Sequence, residues 1–179
     1  MSIKIQRRNE HMNTYASLED KPYESHYLYV DTIIDHPVER VWKHAVKIST
    51  WMTDYRLVTL AGIAGEVGHF ERVYPPGLAE GTPPPHYHLY GIAELIPNKC
   101  IFIEVFPERG GSYGKTREWL MFDNILLVDL GGRTKVIFFI IDVHPGRAAQ
   151  PESHDDAVLR DRLERYFVNL KKLADNDAQ

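Results

Sequence analysis

The chain has 179 residues, 44% of them hydrophobic, which is enough to bury a core without disulfides or a structural metal, and one domain is expected. Its 21 basic residues are interspersed with 25 acidic ones for a net charge of -4, which argues against a nucleic-acid surface built on clustered cations. The lone cysteine, Cys100, has no partner for an internal disulfide and reads as a small buried hydrophobe; with no membrane span and no signal-peptide core, a soluble cytoplasmic protein is expected.

Residues 1–22 mix Lys, Arg, Asn, Glu and Ser with few large apolar groups and read as an extension outside the core, leaving residues 23–175 as the domain. Tyr27–Ile34, rich in aromatic and β-branched residues, predicts the first strand. Pro37 then opens a helix where a missing N–H costs nothing, and Glu39 occupies the first turn, where the helix dipole favours an acid. Val38, Val41, Trp42, Ala45, Val46 and Ile48 recur at helical spacing and predict one buried face. Trp51-Met52 belongs to a second short helix or turn that closes one end of the domain.

From Arg56 to Val143 the pattern is strand after strand: Arg56–Ala64, Glu66–Tyr74, His86–Ile96, Lys99–Phe106, Thr116–Leu130 and Arg133–Val143. Gly62, Gly65, Gly68, Pro97-Asn98 and Gly131-Gly132 punctuate these runs as antiparallel hairpins. Two longer connections, Pro75–Pro85 and Glu108–Gly114, stand where entrances and lids tend to lie. Ser153 can cap a last helix running to about Ala174, with Asp155 and Asp156 in its first turn and Lys171 and Lys172 in its last. Leu159, Leu163, Tyr166, Phe167, Leu170 and Leu173 form an apolar stripe along it, which only the sheet is large enough to cover.

Four local words resemble the START-like superfamily, also called SRPBCC or Bet v 1-like. Ile34-Asp35-His36-Pro37-Val38-Glu39-Arg40-Val41-Trp42 is similar to its strand-to-helix junction, and Gly65-Glu66-Val67-Gly68 to its turn into the third strand. Glu94-Leu95-Ile96-Pro97-Asn98-Lys99 and Gly131-Gly132-Arg133-Thr134-Lys135-Val136 are similar to two of its later hairpins. The likeness runs from about Tyr27 to Ala174. It implies an α+β helix-grip fold, a curved antiparallel sheet of about seven strands wrapped around the long C-terminal helix, with a hydrophobic cavity between them. Members range from lipid carriers to polyketide aromatases and metal-dependent hydrolases, so the fold names no reaction.

The candidate chemistry lies on the middle strands. His86, His88, Tyr90 and Glu94 share one parity if no bulge intervenes, and two histidines at i and i+2 suit a metal, with His69 or Glu104 as a further ligand. The alternative is a solvated face, with Tyr87, Leu89 and Leu95 pointing inward. Glu104 interrupts the apolar run Ile101–Phe106; facing a pocket it would be a buried acid–base group, with His88 and Tyr90 beside it, and otherwise it is a satisfied ion pair. Phe102, Trp119, Phe138, Leu163, Tyr166, Phe167 and Leu170 are the candidate lining of the cavity. No serine-hydrolase elbow, Walker loop or dinucleotide fingerprint appears, and no cofactor is expected.

The leading expectation is therefore binding of a hydrophobic or aromatic small molecule inside the fold. The rival is an aromatase/cyclase-like or hydrolase-like enzyme acting on a phenolic or polyketide-type substrate. A third reading is a protein whose sheet is covered on both faces by association, a homodimer included, because the fifth and last strands are apolar at both parities.

Overall fold

A computed structural model describes residues 23–74, 77, 87–108, 120–145 and 156–177, with only the backbone at some strand ends. The predicted extension, 1–22, lies outside these residues, as do most of the two long connections, His86 and Trp119.

Seven strands form one antiparallel sheet: β1 (Tyr23–Ile34), β2 (Arg56–Ala61), β3 (Phe70–Tyr74), β4 (Tyr87–Ile96), β5 (Cys100–Glu108), β6 (Leu120–Asp129) and β7 (Thr134–Pro145). Their order across the sheet is β1-β7-β6-β5-β4-β3-β2, so only β1, whose neighbour is the last strand, departs from a simple meander. Helix α1 (Val38–Ala45) and a short 3-10 turn (Ile48–Thr50) connect β1 to β2, and helix α2 (Asp156–Asn176) closes the chain. Pro37 is the cap residue just outside α1, with ψ of 150°, because its extended backbone turns the chain out of β1.

The third predicted strand starts later than its sequence suggests. Gly62, Gly65 and Gly68 all adopt positive φ and hold Gly62–His69 as turns, so β3 begins only at Phe70. A Cβ on Gly62 would sit 2.5 Å from the Gly68 carbonyl oxygen, a backbone atom that cannot move away cheaply. Gly62→Ala is expected to cost about 2–3 kcal/mol, strain and clash together, read as a lowered denaturation midpoint. An unchanged midpoint would show that this turn relaxes freely.

Strand alternation puts Leu28, Val30, Ile34, Ile101, Ile103, Val105, Ile125, Leu127, Val136, Phe138 and Ile140 on one face, and α2 packs there through Leu163, Tyr166, Phe167, Leu170 and Ala174. Each large buried side chain of α2 contributes on the order of 2 kcal/mol. The helix runs past Lys171 and Lys172 to Asn176, leaving no basic residue in its last turn. Cations come instead from α1: Lys43 Nζ lies 2.8 Å from Asp177 Oδ2 and Arg40 donates to the Asp175 carbonyl, while His44 Nε2 also lies 2.8 Å from Asp177 Oδ2. His36 adds a 2.7 Å contact to Asp175, and Asn169 donates to the Trp51 carbonyl at 3.1 Å. Helix α2 is thus fastened along its length to the β1–β2 connection as well as to the sheet.

Candidate functional site

Most of the helix-facing interior is apolar, but one group of polar side chains interrupts it. On β4, Tyr90 packs against the core, opposite Val105 of β5 and Glu71 of β3. On β6, Asp123 shares the parity of Ile125 and Leu127, stands opposite Ile103 and is 2% exposed. The Tyr90 hydroxyl hydrogen-bonds to the Asp123 carboxylate, and desolvation followed by that negative charge pushes its pKa well above the ordinary tyrosine value.

Tyr55, just before β2, and Tyr166 of α2 complete the group. Both phenols are raised, chiefly by burial; Arg162 partly offsets this in Tyr55, and Tyr166 also feels Tyr55. Arg162 donates to the Tyr55 hydroxyl, lies 5.1 Å from its ring centroid, and approaches Asp54 at 3.9 Å. All three phenols therefore stay protonated at neutral pH. They are neutral hydrogen-bond donors and acceptors, with Tyr90 on the Asp123 carboxylate, suited to orienting a polar group rather than to attacking as phenolates. The Tyr166 hydroxyl is buried with no hydrogen-bond partner among the described residues.

A second buried pair lies on the same face toward β2. His69 Nε2 is 3.2 Å from Thr59 Oγ1 and 3.8 Å from Glu71 Oε1, and Glu71 also hydrogen-bonds to Ser49. Burial raises the Glu71 pKa, offset in part by His69 and Ser49. A carboxyl with a raised folded-state pKa stabilises most below its unfolded value, near 4.5, and loses that contribution as pH rises through the raised value. Glu71→Gln should therefore lose less stability than the natural chain between about pH 4 and 7 in urea titrations. Parallel curves would contradict burial as the cause.

The predicted site residues separate according to parity. Phe138, Leu163, Tyr166, Phe167 and Leu170 meet in the core. Phe102 and Glu104 do not: Ile101, Ile103 and Val105 take the inner face of β5, so Phe102 and Glu104 point outward, where Phe102 packs on Phe122 at 5.5 Å between ring centroids. Glu104 thus stands on the opposite face from Tyr90 and His69 and cannot complete a metal site with His69. Register also shifts between Ile92 and Glu94, a bulge that leaves Tyr90 inward and places Glu94 opposite the outward Phe102. Leu89 faces away from Tyr90, whereas Leu95, beyond the bulge, packs inward as the alternative reading has it. Of His88 only the backbone is described, opposite Pro107. Among the described residues, no group of three or more His, Cys, Asp or Glu side chains is arranged to hold a metal.

Asp123, Tyr55, Glu71 and Arg162 were not singled out by pattern. The available signal was Asp123 itself, an acid within Leu120–Leu127 at the same parity as Ile125 and Leu127. At the edge of the interior a pocket of about 330 Å³ opens between β1 and α2, lined by Thr32, Ile34, Phe167, Val168 and the charged Asp31, Glu164 and Lys171. Phe167 alone joins it to the predicted lining.

No protein-family model matches the sequence, and no curated protein matches it. Solved structures match the fold. Truncated norcoclaurine synthase from Thalictrum flavum superposes with a TM-score of 0.61 at 11% identity, over 84% of this chain and 94% of that one. The protein Ara h 8.0201 gives 0.59 at 14% identity, over 84% and 98%. An uncharacterised protein from Rhizobium leguminosarum gives 0.55 at 16% identity, over 87% and 98%. The chain has the START-like, Bet v 1-like fold. At these identities the likeness establishes the α+β helix-grip architecture alone and carries no information about the Tyr–Asp group. Among the described residues no helix is long and apolar enough to cross a membrane.

Proposed function

We propose that this protein encloses a hydrophobic, aromatic small molecule between the sheet and α2, and that Tyr166, Tyr90 and Asp123 hold its polar end. The observation that carries this reading is the buried Tyr166 hydroxyl, without a hydrogen-bond partner among the described residues and close enough to Tyr55 and Tyr90 that ionising any one of the phenols would hinder the next. A desolvated donor left unmet costs about 1–3 kcal/mol, and a ligand hydroxyl or carbonyl oxygen would recover that cost. The surrounding Leu163, Phe167, Leu170 and Phe138 suit an apolar ring system.

The test is native mass spectrometry of protein purified from its own host, followed by calorimetric titration with 2-naphthol as a neutral phenolic probe. A retained organic mass and saturable binding are expected. Tyr166→Phe should weaken the probe about tenfold while leaving the unliganded fold as stable as before or slightly more so. No retained mass together with no saturable binding would refute the reading.

A second reading rests on the Tyr90–Asp123 hydrogen bond: a carboxylate and a phenol in contact can move a proton to and from a bound phenolic or polyketide-type substrate, as an aromatase/cyclase-like enzyme would require. Turnover lost in Asp123→Asn while binding persists would favour it.

A further inference from the structure

The sheet face turned away from α2 is apolar as well. Pairing across the strands places Tyr27, Ile141 and Phe122 in one row, Tyr29, Phe139 and Asn124 in the next, and Ile137 and Leu126 in a third. Tyr27 is 67% exposed and Tyr29 56%, with Ile33, Leu126 and Val128 between 37% and 45%. The Tyr27 ring leans on Phe139 at 6.4 Å, so the patch is continuous rather than a scatter of single side chains.

Using ordinary side-chain areas, these residues expose roughly 600 Å², at the upper end for the largest patch of a monomer and close to the ~800 Å² that each partner contributes to a standard interface. The charges within it, Asp31 and Lys135, pair with each other at 2.9 Å. Glu94 and Glu104 occupy the same side of the sheet toward β4 and supply a polar border.

We propose that this face docks against the same face of a second copy of the chain, across a two-fold axis. Two copies meeting here bring aromatic rows together without opposing unpaired like charges, because Asp31 and Lys135 neutralise one another. An anionic lipid surface is a poorer match, since Lys135, the cation of the patch among the described residues, is already paired and the chain carries a net charge of -4. The interior site lies on the other side of the sheet, so this association stands independently of any ligand.

Sedimentation velocity of the full chain from about 1 to 500 µM tests it. The expected result is a concentration-dependent species of twice the 20.7 kDa chain mass. The double variant Tyr27→Glu/Tyr29→Glu, and separately Val128→Lys, should weaken association at least a hundredfold with unchanged circular dichroism and melting temperature. These side chains are exposed, so the substitutions spare the core. A chain that stays monomeric throughout, a dimer that survives both variants, or a monomer that instead cosediments with phosphatidylcholine vesicles through Tyr27 and Tyr29 would each overturn the proposal.

Discussion

Replacing Trp51 with alanine is expected to remove about 4 kcal/mol of stability, the largest loss available from a single side chain here. Trp51 is fully buried and sits edge-on to both Phe138 of the sheet and Tyr166 of α2, with centroids 6.3 and 6.2 Å away. Its indole N–H donates to the Ala45 carbonyl at 3.2 Å, and its own carbonyl accepts from Asn169. One side chain therefore joins the β1–β2 connection, the sheet and α2. Truncation leaves a cavity that three separate elements would have to collapse to fill, and elements fastened elsewhere collapse poorly. Urea denaturation followed by circular dichroism measures the loss, and Trp51→Phe should recover roughly half of it. A cost below about 1.5 kcal/mol for alanine would mean that the connection is not part of the cooperative core.

The second large effect concerns the polar group within that core. Asp123→Ala should destabilise by about 3 kcal/mol, because it strands the buried Tyr90 hydroxyl without its acceptor. Tyr90→Phe should cost about 1–3 kcal/mol for the complementary reason, a buried carboxylate deprived of a donor. The double variant Tyr90→Phe/Asp123→Leu should lie within about 1 kcal/mol of the natural chain, since matched apolar groups replace both partners. It should also bind the phenolic probe least well. Recovery of stability with loss of binding would show that the pair is retained for recognition. Simple addition of the two single costs would show that the residues act independently.

Much of the architecture is legible in the sequence because it is set by local chemistry. Alternating β-branched and aromatic runs, Gly-Gly and Pro-Asn turns and the stripe from Leu159 to Leu173 each state their element without reference to anything distant. The strand ends are less legible. Gly62, Gly65 and Gly68 read as punctuation within two strands, yet their positive φ angles consume the whole stretch between β2 and β3.

The site was harder to read, and β5 shows why. Ile101-Phe102-Ile103-Glu104-Val105 is apolar at both parities, so periodicity cannot say which side meets α2. A single residue of register exchanges the two faces, and the bulge at Ala93 does this within β4, separating Tyr90 from Glu94. Tyr55 and Arg162 are further apart in sequence than any motif reaches and meet only because α2 lies across the β1–β2 connection.

The sequence by itself determined the elements, their order and the apolar stripe of the last helix, because each follows from residue type and spacing within a few turns of chain. Tertiary structure alone decided that Glu104 looks outward and Asp123 inward, that Tyr55, Tyr90 and Tyr166 converge, and that the far face of the sheet is apolar and uncovered by the other described residues. Those outcomes depend on strand register and on the path of α2, quantities fixed by the sum of all the packing rather than by any one segment.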